Sequence, residues 1–278
     1  MPELPEIEVL RRSLERRLSG RRVERVRVHA PALREPLDRR SLGGLRGRRI
    51  EGLRRRSKYL LVDFEGGRTL VVHLGMSGRL TLAPLETGRE PHEHLAFELD
   101  AGEKLRLRDP RRFGLAFVAP TRELESDPHF LRLGREPLEP PVAGADLAAL
   151  AAGRRAPVKP FLMDASTLVG VGNIYATEAL FRARIHPARS VATLRAPDWD
   201  RLAVAVVGVL EEAIREGGTT LNDFADGEGN SGYFQVSLEV YDREGAPCPK
   251  CGARIRRLVQ SNRSGYYCPR CQRAPRRR

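Results

Sequence analysis

Tyr59-Leu-Leu-Val-Asp-Phe64, Glu65-Gly66-Gly67 and Thr69-Leu-Val-Val-His-Leu74 form the stretch whose reading decides the fold. Two apolar, β-type runs flank a Gly-Gly turn, which is the pattern of a β-hairpin. Comparable runs occur at Val23 to Val28, Arg48 to Arg54, His94 to Leu99, Lys104 to Leu107 and Gly114 to Val118, with Ala101-Gly102 as another turn. So many short runs within about a hundred residues predict an antiparallel β-sandwich.

Helices flank this region. The first is expected from Pro5, suited to a first turn, to Ser19-Gly20, where Gly can take a left-handed cap. Ile7, Leu10, Leu14 and Leu18 make one apolar stripe; Glu6 and Glu8 sit at its positive end, and Arg11, Arg12, Arg16 and Arg17 lie toward its negative end. Pro2 and Glu3 therefore project from an anchored helix. Loss of Met1 to an aminopeptidase would leave Pro2 with a free secondary amine beside a carboxylate, and an amine next to an acid is Schiff-base chemistry. Pro-Glu is also an ordinary helix start, so these residues alone leave both readings open.

Beyond the Pro-rich boundary Glu136 to Pro141 the chain turns helical, at Asp146 to Ala152, Lys159 to Asp164, Ile174 to Arg184 and Trp199 to Glu216. Leu202, Val206, Val209, Leu210 and Ala213 share one face of the last helix. Gly217 to Tyr233 is a polar loop of a length that is uncommon unless it has a function or is disordered. The expected domains are 1–135, 136–238 and 239–278.

All four cysteines lie in the last of these. Cys248-Pro-Lys-Cys251 and Cys268-Pro-Arg-Cys271 are two knuckles with the spacing of one tetrahedral structural zinc site, closed to water because protein fills every position. Between them lie Arg254, Arg256, Arg257 and Arg263, with Ser261-Asn262 and Ser264-Gly265 at an expected hairpin tip. The whole chain carries 49 basic against 36 acidic residues, a net charge of +13, and its only lysines are Lys58, Lys104, Lys159 and Lys250. Arg forks grip phosphate oxygens bidentately, so a nucleic acid is the expected partner. No run of eighteen apolar residues occurs, and the acidic start is the opposite of a signal-peptide n-region, so neither a membrane span nor a signal peptide is expected. A cytoplasmic protein with no membrane partner, acting as a monomer, is expected.

Three further motifs carry chemistry. In Leu168-Val-Gly-Val-Gly-Asn173-Ile174, Asn173 is the expected N-cap of a helix whose backbone N–H groups could hold a phosphate; a tight, Gly-packed helical turn is the equal alternative. His73-Leu-Gly-Met76-Ser-Gly78 and Asp109-Pro-Arg111-Arg112-Phe113-Gly114 each set an apolar residue beside Gly in a turn. Met76 and Phe113 could be wedges that hold a base stack open, although core packing is the usual fate of such residues. Arg111 could replace the lost partner of an orphaned base. His92 and His94 alternate on one expected strand face but are too few for a metal site.

With these residues in hand, the sequence closely resembles the bacterial formamidopyrimidine-DNA glycosylase family, the Fpg or MutM proteins that excise oxidised purines such as 8-oxoguanine. The match runs from Pro2-Glu3-Leu4-Pro5-Glu6 through Lys58-Tyr59-Leu60, His73 to Gly78, Asp109 to Gly114, Gly170 to Ala176, Gly217-Gly218-Thr219-Thr220 and Gly232-Tyr233-Phe234 to the four cysteines. The resemblance implies an α+β multidomain fold: an N-terminal antiparallel β-sandwich with a flanking helix, a helix-two-turn-helix module and a C-terminal zinc-finger β-hairpin. It implies double-stranded damaged DNA as partner and one structural zinc ion. Pro2 corresponds to the nucleophile, Glu3 to the general acid, Lys58 to the proton donor in β-elimination and Arg263 to that in δ-elimination. His73, Asn173 and Arg263 correspond to grips on the phosphates flanking the flipped nucleotide, and His92, Arg111 and Arg154 to further DNA contacts. Met76 and Phe113 match the wedges, and the Gly217 to Tyr233 loop matches the lid over the lesion. Two stretches depart from the family pattern: the tip reads Ser261-Asn262-Arg263-Ser264-Gly265, where the family commonly has Gly or Gln before the Arg and Thr two places after it, and Asp242 stands where Gly is usual after Tyr241. Endonuclease VIII-like relatives, which prefer oxidised pyrimidines, are the alternative within the mechanism. A non-catalytic zinc-finger DNA-binding protein is the alternative outside it.

Overall fold

The computed structural model describes residues 2–219 and 238–274. They divide into two compact units, one of 2–131 with 216–219 and the other of 132–215 with 238–274. Most of the 217–233 loop, from 220 on, lies outside the described residues.

The first unit opens with α1 (Leu4–Leu18), β1 (Val23–Val28) and the short α2 (Arg39–Gly43). The strands β2 (Ile50–Arg56), β3 (Tyr59–Phe64), β4 (Arg68–His73), β5 (Arg79–Pro84), β6 (Glu93–Leu99), β7 (Glu103–Arg108) and β8 (Leu115–Pro120) follow. They form two four-stranded antiparallel sheets, ordered β1-β6-β7-β5 and β2-β3-β4-β8. The hairpin that decided the fold pairs Phe64 with Arg68 across a turn in which Gly66 and Gly67 both take positive φ, 80° and 65°. Leu60, Val62, Phe64, Leu70 and Val72 point into one continuous core with Leu95, Phe97, Leu105 and Leu107 of the other sheet, as period-two alternation requires. Leu61 and Val71 are also buried, on the opposite face, which explains why these runs look apolar throughout.

Helix α1 packs on β2 and β3 and sinks its whole expected stripe, Ile7, Leu10, Leu14 and Leu18, into that core. Gly20, with φ +83°, ends it as expected. The sequence reading missed β5 and α2. Strand β5 is an edge strand that buries only Leu80 and Ala83. Helix α2 is too short to show a period, and it starts where the Asp38 side chain accepts the Arg40 N–H at 2.9 Å.

The second unit contains α3 (Gly144–Leu150), α4 (Val158–Met163), α5 (Asn173–Arg182), α6 (Ala196–Arg215) and the hairpin of β9 (Arg256–Gln260) and β10 (Arg263–Tyr267). α6 lies against α3 and α5 through the face predicted for it, and α5 also supports α4 and β10. A small core of Phe181, Val240, Ile255 and Tyr266 joins α5 to the cysteine hairpin.

That junction hangs on one carboxylate. Glu178 of α5 is fully buried and accepts the backbone N–H groups of Glu239, Val240 and Tyr241 at 3.0, 3.0 and 2.8 Å. Glu178→Ala would leave three buried donors unpaired and should cost about 3 kcal/mol or more of unfolding free energy in urea. Glu178→Gln, which keeps one acceptor oxygen, should recover part of the loss.

Candidate active site

The start of α1 is held by two carboxylates. Glu3 is its buried N-cap, and its N–H donates to Glu6 Oε2 at 2.7 Å. Glu6 Oε1 accepts both the N–H and the hydroxyl of Thr219, each at 2.9 Å. Gly218, at φ +81°, lies so near that a Cβ there would stand 3.2 Å from Glu6 Cγ and Oε1. Glu6 thus fastens the first turn, with Pro2 just ahead of it, to the beginning of the expected lid.

Glu8, one turn on, is also buried and receives Arg11 through two nitrogens at 2.9 and 3.1 Å and Arg12 at 2.7 Å. Burial alone would raise its carboxyl; the hydrogen bonds from Arg11 and Arg12 outweigh that and hold it below the usual range. Glu8 also lies 3.5 Å from Arg55, whose side chain is only 4% exposed and whose Nη1 donates to the Ser57 carbonyl at 3.1 Å. Ser57, at φ +56°, supplies the positive φ that the two-residue β2–β3 loop needs at its first position, and Lys58 is the second. Glu8 and Arg55 therefore tie α1 to the Lys58 turn.

Across the ladder Tyr59 pairs with His73, their rings 5.0 Å apart. His73 Nδ1 accepts the Gly75 N–H at 3.0 Å, so the ring proton of the neutral form sits on Nε2, a donor suited to a phosphate oxygen. Burial first, and then the positive charges of Arg34, Lys58 and His129, push His73 down to about 4. His129, stacked on Phe117, bridges Asp127 at 2.7 Å and Glu35 at 3.1 Å. Burial would lower it, but these carboxylates prevail and raise it.

The Met76 and Phe113 turns touch. A Cβ on Gly75 would stand 2.4 Å from the Phe113 carbonyl carbon, so the loops meet backbone to backbone. Met76 and Phe113 are nevertheless 40% and 46% exposed, which separates them from core residues. The Arg111 guanidinium stands 4.8 Å from the Phe113 ring centre. One expectation fails here: His92 and His94 do not share a strand face. His92 precedes β6 in a left-handed turn at φ +63°, whereas His94 is buried with Nε2 2.9 Å from the Asp109 carbonyl.

In the second unit Asn173 is the first residue of α5, and Gly172 caps it. The expected N-cap role is therefore displaced by one residue. The Asn173 side chain accepts Lys159 Nζ at 2.6 Å and donates to the Ser264 carbonyl at 2.9 Å. Lys159, 1% exposed, also reaches the Ser264 carbonyl at 3.2 Å. Asn173 is thus bound to the strand that begins with Arg263. Arg154 is held by Thr167 at 2.7 Å and Asp164 at 3.3 Å.

The two departures have local reasons. Ser261 and Asn262, at φ +48° and +58°, form the two-residue turn between the paired Gln260 and Arg263, a type I′ geometry for which Asn is well suited. The expected tip was broader; Ser264 and Gly265 lie in β10. Asp242 also takes positive φ, 58°, and accepts the Tyr266 hydroxyl at 3.1 Å. Asp tolerates the left-handed region and gains that bond.

Cys248, Cys251, Cys268 and Cys271 place their sulfurs within 4.8 Å of one another. Cys251 and Cys268 are 3.4 Å apart and Cys248 and Cys271 3.9 Å, too far for disulfides. Tetrahedral zinc, with Zn–S near 2.3 Å, spaces its sulfurs at about 3.8 Å, so the four thiolates fit one ion.

The structure thus groups Pro2, Glu3, Lys58, His73, Met76, His92, Arg111 and Phe113 in the first unit and Arg154, Asn173, Arg263 and the cysteines in the second. Residue-type reasoning missed Glu6, Arg55, Lys159 and Glu178. Lys159 had a signal as one of four lysines in an Arg-dominated chain, and Glu178 as the lone charge within an apolar run.

Three family descriptions match the chain: the formamidopyrimidine-DNA glycosylase N-terminal domain over residues 1–116, the formamidopyrimidine-DNA glycosylase H2TH domain over 133–225, and the zinc finger found in FPG and IleRS over 245–274. The formamidopyrimidine-DNA glycosylase of Gluconobacter oxydans is 45% identical over 276 residues, covering 98% of this chain and 100% of the relative. That of Pseudomonas putida is 48% identical over 275 residues, with 98% and 100% covered. The crystal structure of MutM (Fpg) from Thermus thermophilus superposes with a TM-score of 0.87 at 41% identity, covering 98% of each chain. A complex of Lactococcus lactis Fpg with Fapy-dG-containing DNA gives 0.89 at 31% identity, covering 98% of this chain and 100% of that one.

His73 gives a test in pH. Its ordinary value is 6.5 and its folded value about 4, so the unfolded chain takes up a proton between them that the folded chain refuses. The contribution is complete above pH 6.5 and is lost toward pH 4, up to about 3 kcal/mol. In urea unfolding across this range, His73→Asn should show a shallower fall in stability than the parent.

Proposed function

The chain belongs to the formamidopyrimidine-DNA glycosylase family, and on that premise we propose that it excises oxidised purines, 8-oxoguanine and formamidopyrimidines, from duplex DNA and then cuts the strand by β,δ-elimination. The observation that carries this reading is the start of α1, where Pro2 stands ahead of a buried Glu3 on a turn braced by Glu6 and Glu8. The division into 1–135, 136–238 and 239–278 belongs to the same reading and is supported by the three family matches.

Pro2, freed of Met1, attacks the deoxyribose C1′ with its amine lone pair, and the bond to the damaged base breaks. Ring opening then gives a Schiff base. An α-amine has a pKa of about 8, against about 10.4 for Lys, so it is partly neutral near pH 7 without deep burial. Glu3 serves as general acid for base departure and ring opening. Lys58 transfers the proton in β-elimination and Arg263 in δ-elimination. His73, Asn173 and Arg263 hold phosphates, His92, Arg111 and Arg154 add DNA contacts, and Met76 and Phe113 fill the gap left by the flipped nucleotide. The single zinc supplies no chemistry; Cys248, Cys251, Cys268 and Cys271 hold it to fix the hairpin that presents Arg263. No helix among the described residues is long and apolar enough to cross a membrane. Action as a monomer on DNA in the cytoplasm belongs to the same proposal.

Borohydride added during incubation with an 8-oxoguanine duplex should trap the chain covalently on DNA, and Pro2→Gly, which exchanges the secondary amine for a primary one, should weaken trapping and cleavage. Trapping and cleavage unchanged by Pro2→Gly, or activity in protein whose intact mass retains Met1, would assign the nucleophile elsewhere. A thymine glycol duplex run in parallel should be processed more slowly; the reverse order would indicate the pyrimidine-preferring branch. Zinc removal by a chelator should weaken DNA binding at least tenfold while changing single-turnover chemistry on saturated complexes far less.

A further inference from the structure

We propose that Asp109 is a positioning residue that locks the Met76 and Phe113 turns into one rigid wedge. The inference rests on the wedge reading above. Asp109 follows β7 and is fully buried. Its Oδ1 accepts the Ser77 hydroxyl at 2.6 Å and its Oδ2 accepts the Gly114 N–H at 2.7 Å, so one carboxylate spans both turns. Ser77 Oγ in turn accepts the Arg111 N–H at 3.3 Å. The Asp109 backbone is held as well: its N–H donates to the His92 carbonyl at 3.0 Å, and its carbonyl accepts the Arg112 N–H at 3.2 Å and meets His94 Nε2 at 2.9 Å.

The glycines around it leave no slack. A Cβ would stand 2.4 Å from the Phe113 carbonyl carbon at Gly75, 2.2 Å from the Leu74 oxygen at Gly78, and 3.0 Å from Asp109 Oδ2 at Gly114. A buried charge and three close-packed glycines thus support two exposed apolar side chains. Side chains that enter a base stack must hold their shape against the restacking duplex, and two separately mobile turns would first have to be ordered. The Asp109 bridge has already ordered them. Its loss therefore slows opening of a paired lesion and leaves alone the Schiff-base chemistry at Pro2.

Asp109→Asn keeps the shape but turns one acceptor oxygen into a donor, which breaks one of the two bonds. Single-turnover excision of 8-oxoguanine paired with cytosine should slow at least tenfold, and the fluorescence rise of 2-aminopurine placed beside the lesion should slow in step. Cleavage of a preformed abasic-site duplex should change less than twofold. Equal losses on both duplexes, or no loss on either, would overturn the proposal. If Asp109→Asn fails to fold by thermal melting, Ser77→Ala removes the Oδ1 bond, together with the acceptor for the Arg111 N–H, and leaves the Gly114 bond to Oδ2 in place. It should show the same selectivity at about threefold, and its absence overturns the proposal too. Phe113→Ala separates this inference from its premise. If that variant is selective and Asp109→Asn is not, the Asp109 role fails alone; if neither is selective, the wedge reading fails with it.

Discussion

The role proposed for Pro2 requires a chain end that is kept from fraying, and the restraint is the pair of buried carboxylates on the first turns of α1. Glu6 ties the turn to Gly218 and Thr219, and Glu8 ties the helix through Arg55 to the Lys58 loop. Burying a carboxylate is costly unless every lone pair is used, and removing one partner of such a group typically costs about 3 to 5 kcal/mol. The apolar stripe of α1 explains why the helix stays on the sandwich. The carboxylates explain its register there, since apolar contacts alone tolerate sliding.

The same device recurs. Glu178 gathers three backbone N–H groups to set the chain entering the cysteine hairpin, and Lys159 joins Asn173 to Ser264 beside Arg263. Asp109 joins the wedge turns. Each of these buried groups stands one step behind a residue that the proposed chemistry uses. In a chain with 49 basic residues this arrangement also solves an electrostatic problem, because cations gathered for a polyanion repel each other. His73 shows the local result: burial first, and then the charges of Arg34, Lys58 and His129, hold it neutral, so it can donate a hydrogen bond without adding to the repulsion.

Much of this was legible in the sequence because it rests on period and spacing. The Tyr59 to Leu74 hairpin, the α1 stripe, the buried face of α6 and the two Cys-X-X-Cys knuckles all follow from patterns a few residues long. Where local pattern was weak the reading failed, as at β5, which buries only two side chains, and at α2, which is a single turn. It was one residue off at Asn173, since a Gly and an Asn in succession can each serve as a helix cap.

By itself the sequence determined the strongly patterned elements, the zinc ligands, the sign of the partner's charge and, through motifs in order, the family and its candidate residues. Only the tertiary structure decided which carboxylate serves which turn. Nothing local distinguishes Glu6, which reaches a residue 213 positions away, from any other glutamate in a first helical turn. Nor does Asp109 announce that it holds Ser77, 32 positions earlier. Periodicity reports how a residue faces its own element; the partner of a buried charge is set by which distant backbone comes within hydrogen-bonding distance, and that exists only once the sheets and helices have packed.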